Sequence, residues 1–251
     1  MKTLMNCAVI LTVMAILTSA IAQAPPANGR GGQRSPSGFS TNNSRPNCCD
    51  YKERPPVFFH EDWKEIPIAT PITQDHVKDP NLILSLHGPG KDGVRKSHHT
   101  VPVDDPFYTF SGPAKGNWAV SLHHKNSYVD LTGVAKIRWR INVSGLRSLH
   151  VILKTADGKW YVSADSDGPT LDWREHEFNV REMHWQNLDI RSVVETGPVD
   201  KIDLSKVDEI GYTDLMIGGD VSGAPSGAAA SRVDWIEVIG WPVKRDAPTN
   251  Q

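Results

Sequence analysis

Between Lys136 and Lys154 apolar and polar residues alternate almost without a break. Ile137, Trp139, Ile141 and Val143 share one parity, and Lys136, Arg138, Arg140 and Asn142 share the other. After a Ser-Gly turn, Leu149, Val151 and Leu153 alternate with His150, Ile152 and Lys154. A period of two marks a strand with one buried and one wet face, so this stretch predicts two β-strands. The same rule predicts strands beginning at Val57, at 82–86, 107–110 and 118–123. It predicts others at 173–180, 210–216 and 232–239, and one at 159–162 after the hairpin signal Asp157-Gly158. Only 180–194 offers a helical spacing, and its Trp and Asn content argues against a helix. Many short strands separated by turn residues predict an all-β antiparallel sandwich or barrel. The absence of a fixed internal period counts against a propeller or solenoid.

The pattern changes at both ends. Lys2, an apolar run from Met5 to Leu17 and the small residues Ser19-Ala20-Ile21-Ala22 read as a secretory signal peptide over 1–22, leaving Gln23 as the first mature residue. The run is short for a membrane span, so the mature chain is expected to have none and to be secreted, periplasmic or held in the cell envelope. Residues 23–56 are dominated by Pro, Gly, Ser, Asn and Arg. That composition cannot bury enough apolar surface to order itself and predicts a disordered tether. The β-sandwich domain is expected over 57–244, with a flexible tail at 245–251 and a Gly/Ala/Ser-rich surface loop at 218–231.

Composition narrows the function classes. With 27 basic and 29 acidic residues the formal net charge is −2, and no basic run marks a nucleic-acid partner. Of three cysteines, Cys7 lies in the leader, and Cys48 and Cys49 are adjacent in the tether. A vicinal disulfide is strained; an intermolecular bridge or two thiols of little structural role fit better. The fold must therefore stand on its core. No nucleophile elbow, phosphate loop or dinucleotide fingerprint is present.

Three short motifs carry a resemblance. Tyr128-Val129-Asp130-Leu131-Thr132-Gly133 precedes the strand at Lys136. Asp203-Leu204-Ser205-Lys206-Val207-Asp208-Glu209-Ile210-Gly211-Tyr212 leads through the glycine-rich loop to Arg232-Val233-Asp234-Trp235-Ile236-Glu237-Val238. The order resembles the galactose-binding-like jelly-roll sandwiches, which include many carbohydrate-binding modules. In that group an Asp-Leu-Ser/Thr-Gly turn leads into a core strand, and a late strand returns beside the first. The resemblance spans most of 57–241 and implies an antiparallel jelly-roll β-sandwich, a polysaccharide or other glycan as partner, and a structural calcium ion.

Candidate chemistry follows from the alternation. Arg138, Arg140, His150 and Lys154 fall on the wet parity, and Arg174 and His176 are expected to alternate onto it. If these strands are neighbours, the cations line one shallow groove suited to carboxylates, sulfates or sugar hydroxyl pairs. The alternative is a solvated face paired with Glu175, Glu177 or Asp172. Trp160 and Tyr161 lie at a strand start, where aromatic rings can stack on a sugar. Trp139 belongs to the core; the parity of Trp235 is ambiguous. Neither His98-His99 nor His123-His124 can chelate one metal as a pair, because strand neighbours point to opposite faces. For calcium, the carboxylates of Glu61, Asp62, Asp234 and Glu237 converge if the first and last strands are neighbours. The leading expectation is a non-catalytic module that binds polysaccharide, acidic polymers included. The alternatives are a polysaccharide lyase on the same scaffold, with Arg138, Arg140, His150 and Tyr161 of suitable type, and an envelope module that docks to another protein.

Overall fold

The computed structural model describes residues 54–216 and 230–245. The leader, the tether up to residue 53, loop residues 217–229 and tail residues 246–251 lie outside them. In chain order the strands are β1 (Val57–Glu61), β2 (Leu82–His87), β3 (Arg95–Ser97), β4 (Tyr108–Phe110), β5 (Ala119–His124), β6 (Ser127–Asp130), β7 (Lys136–Val143) and β8 (Leu149–Thr155). There follow β9 (Trp160–Asp167), β10 (Arg174–Asn179), β11 (Trp185–Asp189), β12 (Val194–Val199), β13 (Val207–Thr213), β14 (Ser231–Ile239) and β15 (Trp241–Lys244). Short 3-10 turns at Gln74–His76, Lys91–Gly93 and Val180–Glu182 complete the described elements. The segment with helical spacing is a 3-10 turn followed by the β11–β12 hairpin.

Two antiparallel sheets face each other, the sandwich the pattern predicts and the jelly roll the resemblance implies. Six strands run β10-β7-β14-β4-β3, with β1 also on β14. Nine run β12-β11-β9-β8-β13-β5-β2, with β6 and β15 attached through β13. The alternation of β7 holds at every position: Ile137, Trp139, Ile141 and Val143 are fully buried and the residues between them half-exposed. Leu149, Val151 and Leu153 of β8 close on the same core from the other sheet. The turn between β7 and β8 is therefore a corner that crosses between sheets, not a hairpin. Gly145, at φ 74°, makes that corner in a left-handed conformation that suits glycine.

One polar knot ties the layers. Arg147 and Asp214, whose side chains are 2% and 0% exposed, pair at 2.5 Å. Asp214 also accepts from Ser231 Oγ at 3.0 Å and from the Met216 amide at 3.1 Å. This joins the end of β13 to the start of β14. Burial raises the Asp214 carboxyl above the ordinary range, against the pull of Arg147.

Candidate functional site

The structure divides the expected cationic groove among separate places. In an antiparallel register, directly opposed residues share a face. Arg138 and Arg140 oppose Glu177 and Glu175 on β10 and Glu237 and Trp235 on β14, all on the outer face of the six-stranded sheet. Their charges are matched. Arg138 reaches Glu237 at 2.9 Å and Glu177 at 3.7 Å, and Arg140 reaches Asp234 at 2.7 Å. Trp235 lies on this face beside His60 and Arg138.

Arg174 and His176 take the opposite parity, a correction to the alternation inferred from sequence. They oppose Ile141 and Trp139, and both close on the buried carboxylate of Asp167. His176 Nδ1 donates to it at 2.9 Å, the Trp139 indole at 3.1 Å, and Arg174 completes an ion pair. Burial, then the neighbouring Arg174 charge, push the His176 pKa below its ordinary value. The sequence held the signal: Phe178 shares this parity, and a Phe on a sheet edge turns its strand inward. Tyr161 is a core residue at 6% exposure, opposed to Leu153.

The four carboxylates considered for calcium do not gather into one site. Glu61 points inward and accepts from the amides of Lys78 and Asp79 at 2.7 and 3.0 Å. Asp62 pairs with Lys78, Asp234 with Arg140, and Glu237 with Arg138 and His60. Burial raises the Asp234 carboxyl to about 6, in spite of Arg140. Among the described residues no group of three or more His, Cys, Asp or Glu side chains is arranged to hold a metal ion.

Lys154, Trp160 and His150 share the outer face of the nine-stranded sheet, and there the structure builds a site. Lys154 opposes Trp160 on one side and Glu209 on the other; Glu209 in turn opposes His123. This face is deeply curved. His87 on β2 and Trp160 on β9 are four strand steps apart, ~19 Å on a flat sheet. Their rings nevertheless meet edge to face at 4.9 Å between centroids. The strands between them form the floor of a trough, and the two rings bridge it.

A chain of hydrogen bonds runs along the floor. Ser121, fully buried, donates its hydroxyl to Glu209 Oε2 at 2.6 Å. With that proton committed, it accepts from His87 Nε2 at 2.8 Å. Burial pushes the His87 pKa down, opposed by the Glu209 charge, so the ring is neutral and carries its proton toward Ser121. Lys154 donates to the other Glu209 oxygen at 3.0 Å and lies 3.4 Å from Asp208. Burial works against the ammonium, but the bond to Glu209 and the two carboxylate charges raise its pKa overall. Its Nζ sits 5.8 Å from the Trp160 ring centroid. His123 leaves a buried Nδ1 without a hydrogen-bond partner.

Farther along, the trough is plugged. Ile152, Val162 and Ala119 on this face are fully buried, because Leu188 and Val193 close over them. Val193, at φ 53°, is held by Asn117 Nδ2 donating to its carbonyl at 2.9 Å. Beyond the plug a groove of about 360 Å³ runs between Asn117, Leu146, His150, Glu195 and Met216. The His150 Nδ1 donates to the Ser163 carbonyl at 2.8 Å.

His87, Ser121, Asp208 and Glu209 were not singled out from sequence. Ser121 and His123 alternate with Val120 and Leu122, which marks a polar outer face. The pairing of β13 with both β5 and β8, which brings Glu209 to them, is not a local property of the chain.

No family model and no curated protein matches the chain. Among solved structures it is similar to a family 11 carbohydrate-binding module from Clostridium thermocellum in complex with a β-1,3-1,4-mixed-linked tetrasaccharide. Identity is 17%, covering 66% of this chain and 92% of that one, with a TM-score of 0.41. It is also similar to a mutant family 29 carbohydrate-binding module complexed with mannohexaose, at 12% identity, 73% and 93% coverage and a TM-score of 0.39. A third is an exo-β-agarase, at 10% identity and a TM-score of 0.36, covering 66% of this chain and 24% of that one.

Proposed function

We propose that the chain is a secreted, non-catalytic module that binds polysaccharide in the trough of the nine-stranded sheet. One observation carries this reading: the half-exposed Trp160 indole is fixed at the trough rim, with His87, Lys154 and Glu209 around it. An indole held by its neighbours offers a flat apolar surface to the C–H face of a sugar at little entropy cost. The adjacent ammonium and carboxylate offer a donor and an acceptor to the hydroxyls at the ring edge. Both Glu209 oxygens already accept strong hydrogen bonds, which suits a group that positions hydroxyls better than one that takes up a proton. Of the two residues a lyase reading offers as a base, Tyr161 is packed in the core and His150 has its Nδ1 engaged with the Ser163 carbonyl. Among the described residues no helix is long and apolar enough to cross a membrane.

Affinity electrophoresis of the folded protein in gels containing neutral and acidic polysaccharides tests the reading. At least one polymer should retard the wild type. Covering ~100 Å² of apolar ring and sugar surface at ~25 cal/mol per Å² is ~2.5 kcal/mol, so Trp160→Ala should weaken retention by ~10- to 100-fold. Trp235→Ala, on the opposite sheet, should leave it unchanged. If no polymer retards a folded sample, or if Trp235 and not Trp160 governs retention, the reading fails.

A further inference from the structure

We infer that Glu209 is a specificity-determining residue that neutralises the cation beside Trp160 and thereby selects uncharged polysaccharides over uronate polymers. The inference rests on the glycan-binding reading of the trough and deepens it. The cluster around Lys154 holds two cations, Lys154 and Arg245, and two carboxylates, Asp208 and Glu209, with the exposed Lys91 farther out beside His87. Lys154 faces both carboxylates, at 3.0 Å for Glu209 and 3.4 Å for Asp208. Arg245 pairs with Asp208 and donates through Nε to the His124 carbonyl at 3.1 Å. The neutral His87 adds no charge, and its Nε2 proton is committed to Ser121.

Lys154 therefore presents a donor and not a net positive field. An ammonium carries three N–H groups. Two point at carboxylates, and the third suits a hydroxyl oxygen. A uronate carboxylate brought to the same place meets Lys154 together with two like charges. Glu209 is also the better buried of the two acids, with 9% of its side chain exposed against 17% for Asp208. Its charge is the less screened by solvent. The cations elsewhere that suggested an acidic partner are matched as well: Arg138 and Arg140 lie on the other sheet against Glu237 and Asp234, and Arg174 lies against Asp167.

The test compares matched neutral and acidic polymers, β-glucan and galactomannan against polygalacturonate and alginate, by affinity electrophoresis between low salt and roughly 0.5 M NaCl. The wild type should be retarded by a neutral polymer, with retention changing less than about twofold across that range, and should ignore both polyuronates. Glu209→Gln keeps the shape and the Ser121 contact but uncovers Lys154; it should gain at least about tenfold in retention by a polyuronate, reversed by salt. Asp208→Asn, at the better exposed acid, should gain in the same direction by less and serves if Glu209→Gln does not fold. Salt-sensitive polyuronate retention by the wild type overturns the inference and leaves the glycan-binding reading standing. So does a folded pair of variants that gains none. A wild type retarded by no polymer of either charge removes both.

Discussion

The curvature that brings His87 over Trp160 depends on how closely β13 and β5 approach, and Gly211 is where that approach is tightest. A methyl group added there would lie 1.8 Å from the Val120 carbonyl oxygen and 2.7 Å from Ser121 Cα. Ordinary contact begins at 3.4 Å, so β5 would have to retreat by about 1.6 Å, the difference between 3.4 and 1.8. A ladder hydrogen bond of ~2.9 Å stretched that far is lost. Two such bonds at about 1 kcal/mol each, with roughly 1–3 kcal/mol for overpacking beside Val120 and Tyr212, put the cost of Gly211→Ala at about 3–5 kcal/mol. That is a large share of a domain's stability. Urea unfolding should show a lowered midpoint at unchanged slope. Polysaccharide retention measured well below that midpoint should fall too, because the floor under Ser121 and Glu209 shifts. A variant within 1 kcal/mol of wild type that still binds would refute both the close approach and its link to the trough.

Other perturbations probe the remaining features. Arg147→Met strands the Asp214 carboxylate without its cation and should cost about 3–5 kcal/mol in urea unfolding, whereas Arg147→Met with Asp214→Leu should recover most of that loss; a double variant no better than the single would contradict the pairing argument. Asp234, raised by burial to about 6 from an ordinary 3.8, holds its proton more tightly in the folded state than in the unfolded chain. Its contribution is therefore full below pH 3.8 and lost as pH rises through 6, on the order of 3 kcal/mol. The stability of wild type relative to Asp234→Asn should decline across that window, and a flat difference in thermal midpoints would show the carboxyl to be unperturbed.

Architecture was legible wherever one strand carried its own answer. The inward set of β7 could be read directly, because Ile137, Trp139, Ile141 and Val143 leave no ambiguity about which parity is apolar. On β10 the parity was equally regular but its sense was not, since Arg174 and His176 share a face with Phe178 and only the partner strand decides which face is wet. The wet parity of Lys154 and the place of Trp160 at a strand start are local and legible; that the two stand opposite each other, and that Glu209 neutralises Lys154, is not. The hairpin turn at Asp157-Gly158 is local, whereas the pairing of β8 with β13 joins segments about 55 residues apart. The basic appearance of Arg138 and Arg140 dissolves for the same reason: Glu237, which answers Arg138, comes from the far end of the domain.

The amide of Gly240 donates to the Pro56 carbonyl at 3.1 Å, so the domain's first and last segments emerge side by side. Among the described residues only the short β15 and Arg245 continue from there, β15 covering ~13–16 Å of extended chain. The two ends can therefore be joined by a linker of about 6–8 residues and the chain reopened at the fully exposed Leu171, giving a circular permutant in which every strand keeps its neighbours. The same proximity lets the sandwich be inserted into a surface loop of a host protein, displayed like a bead on a closed clasp.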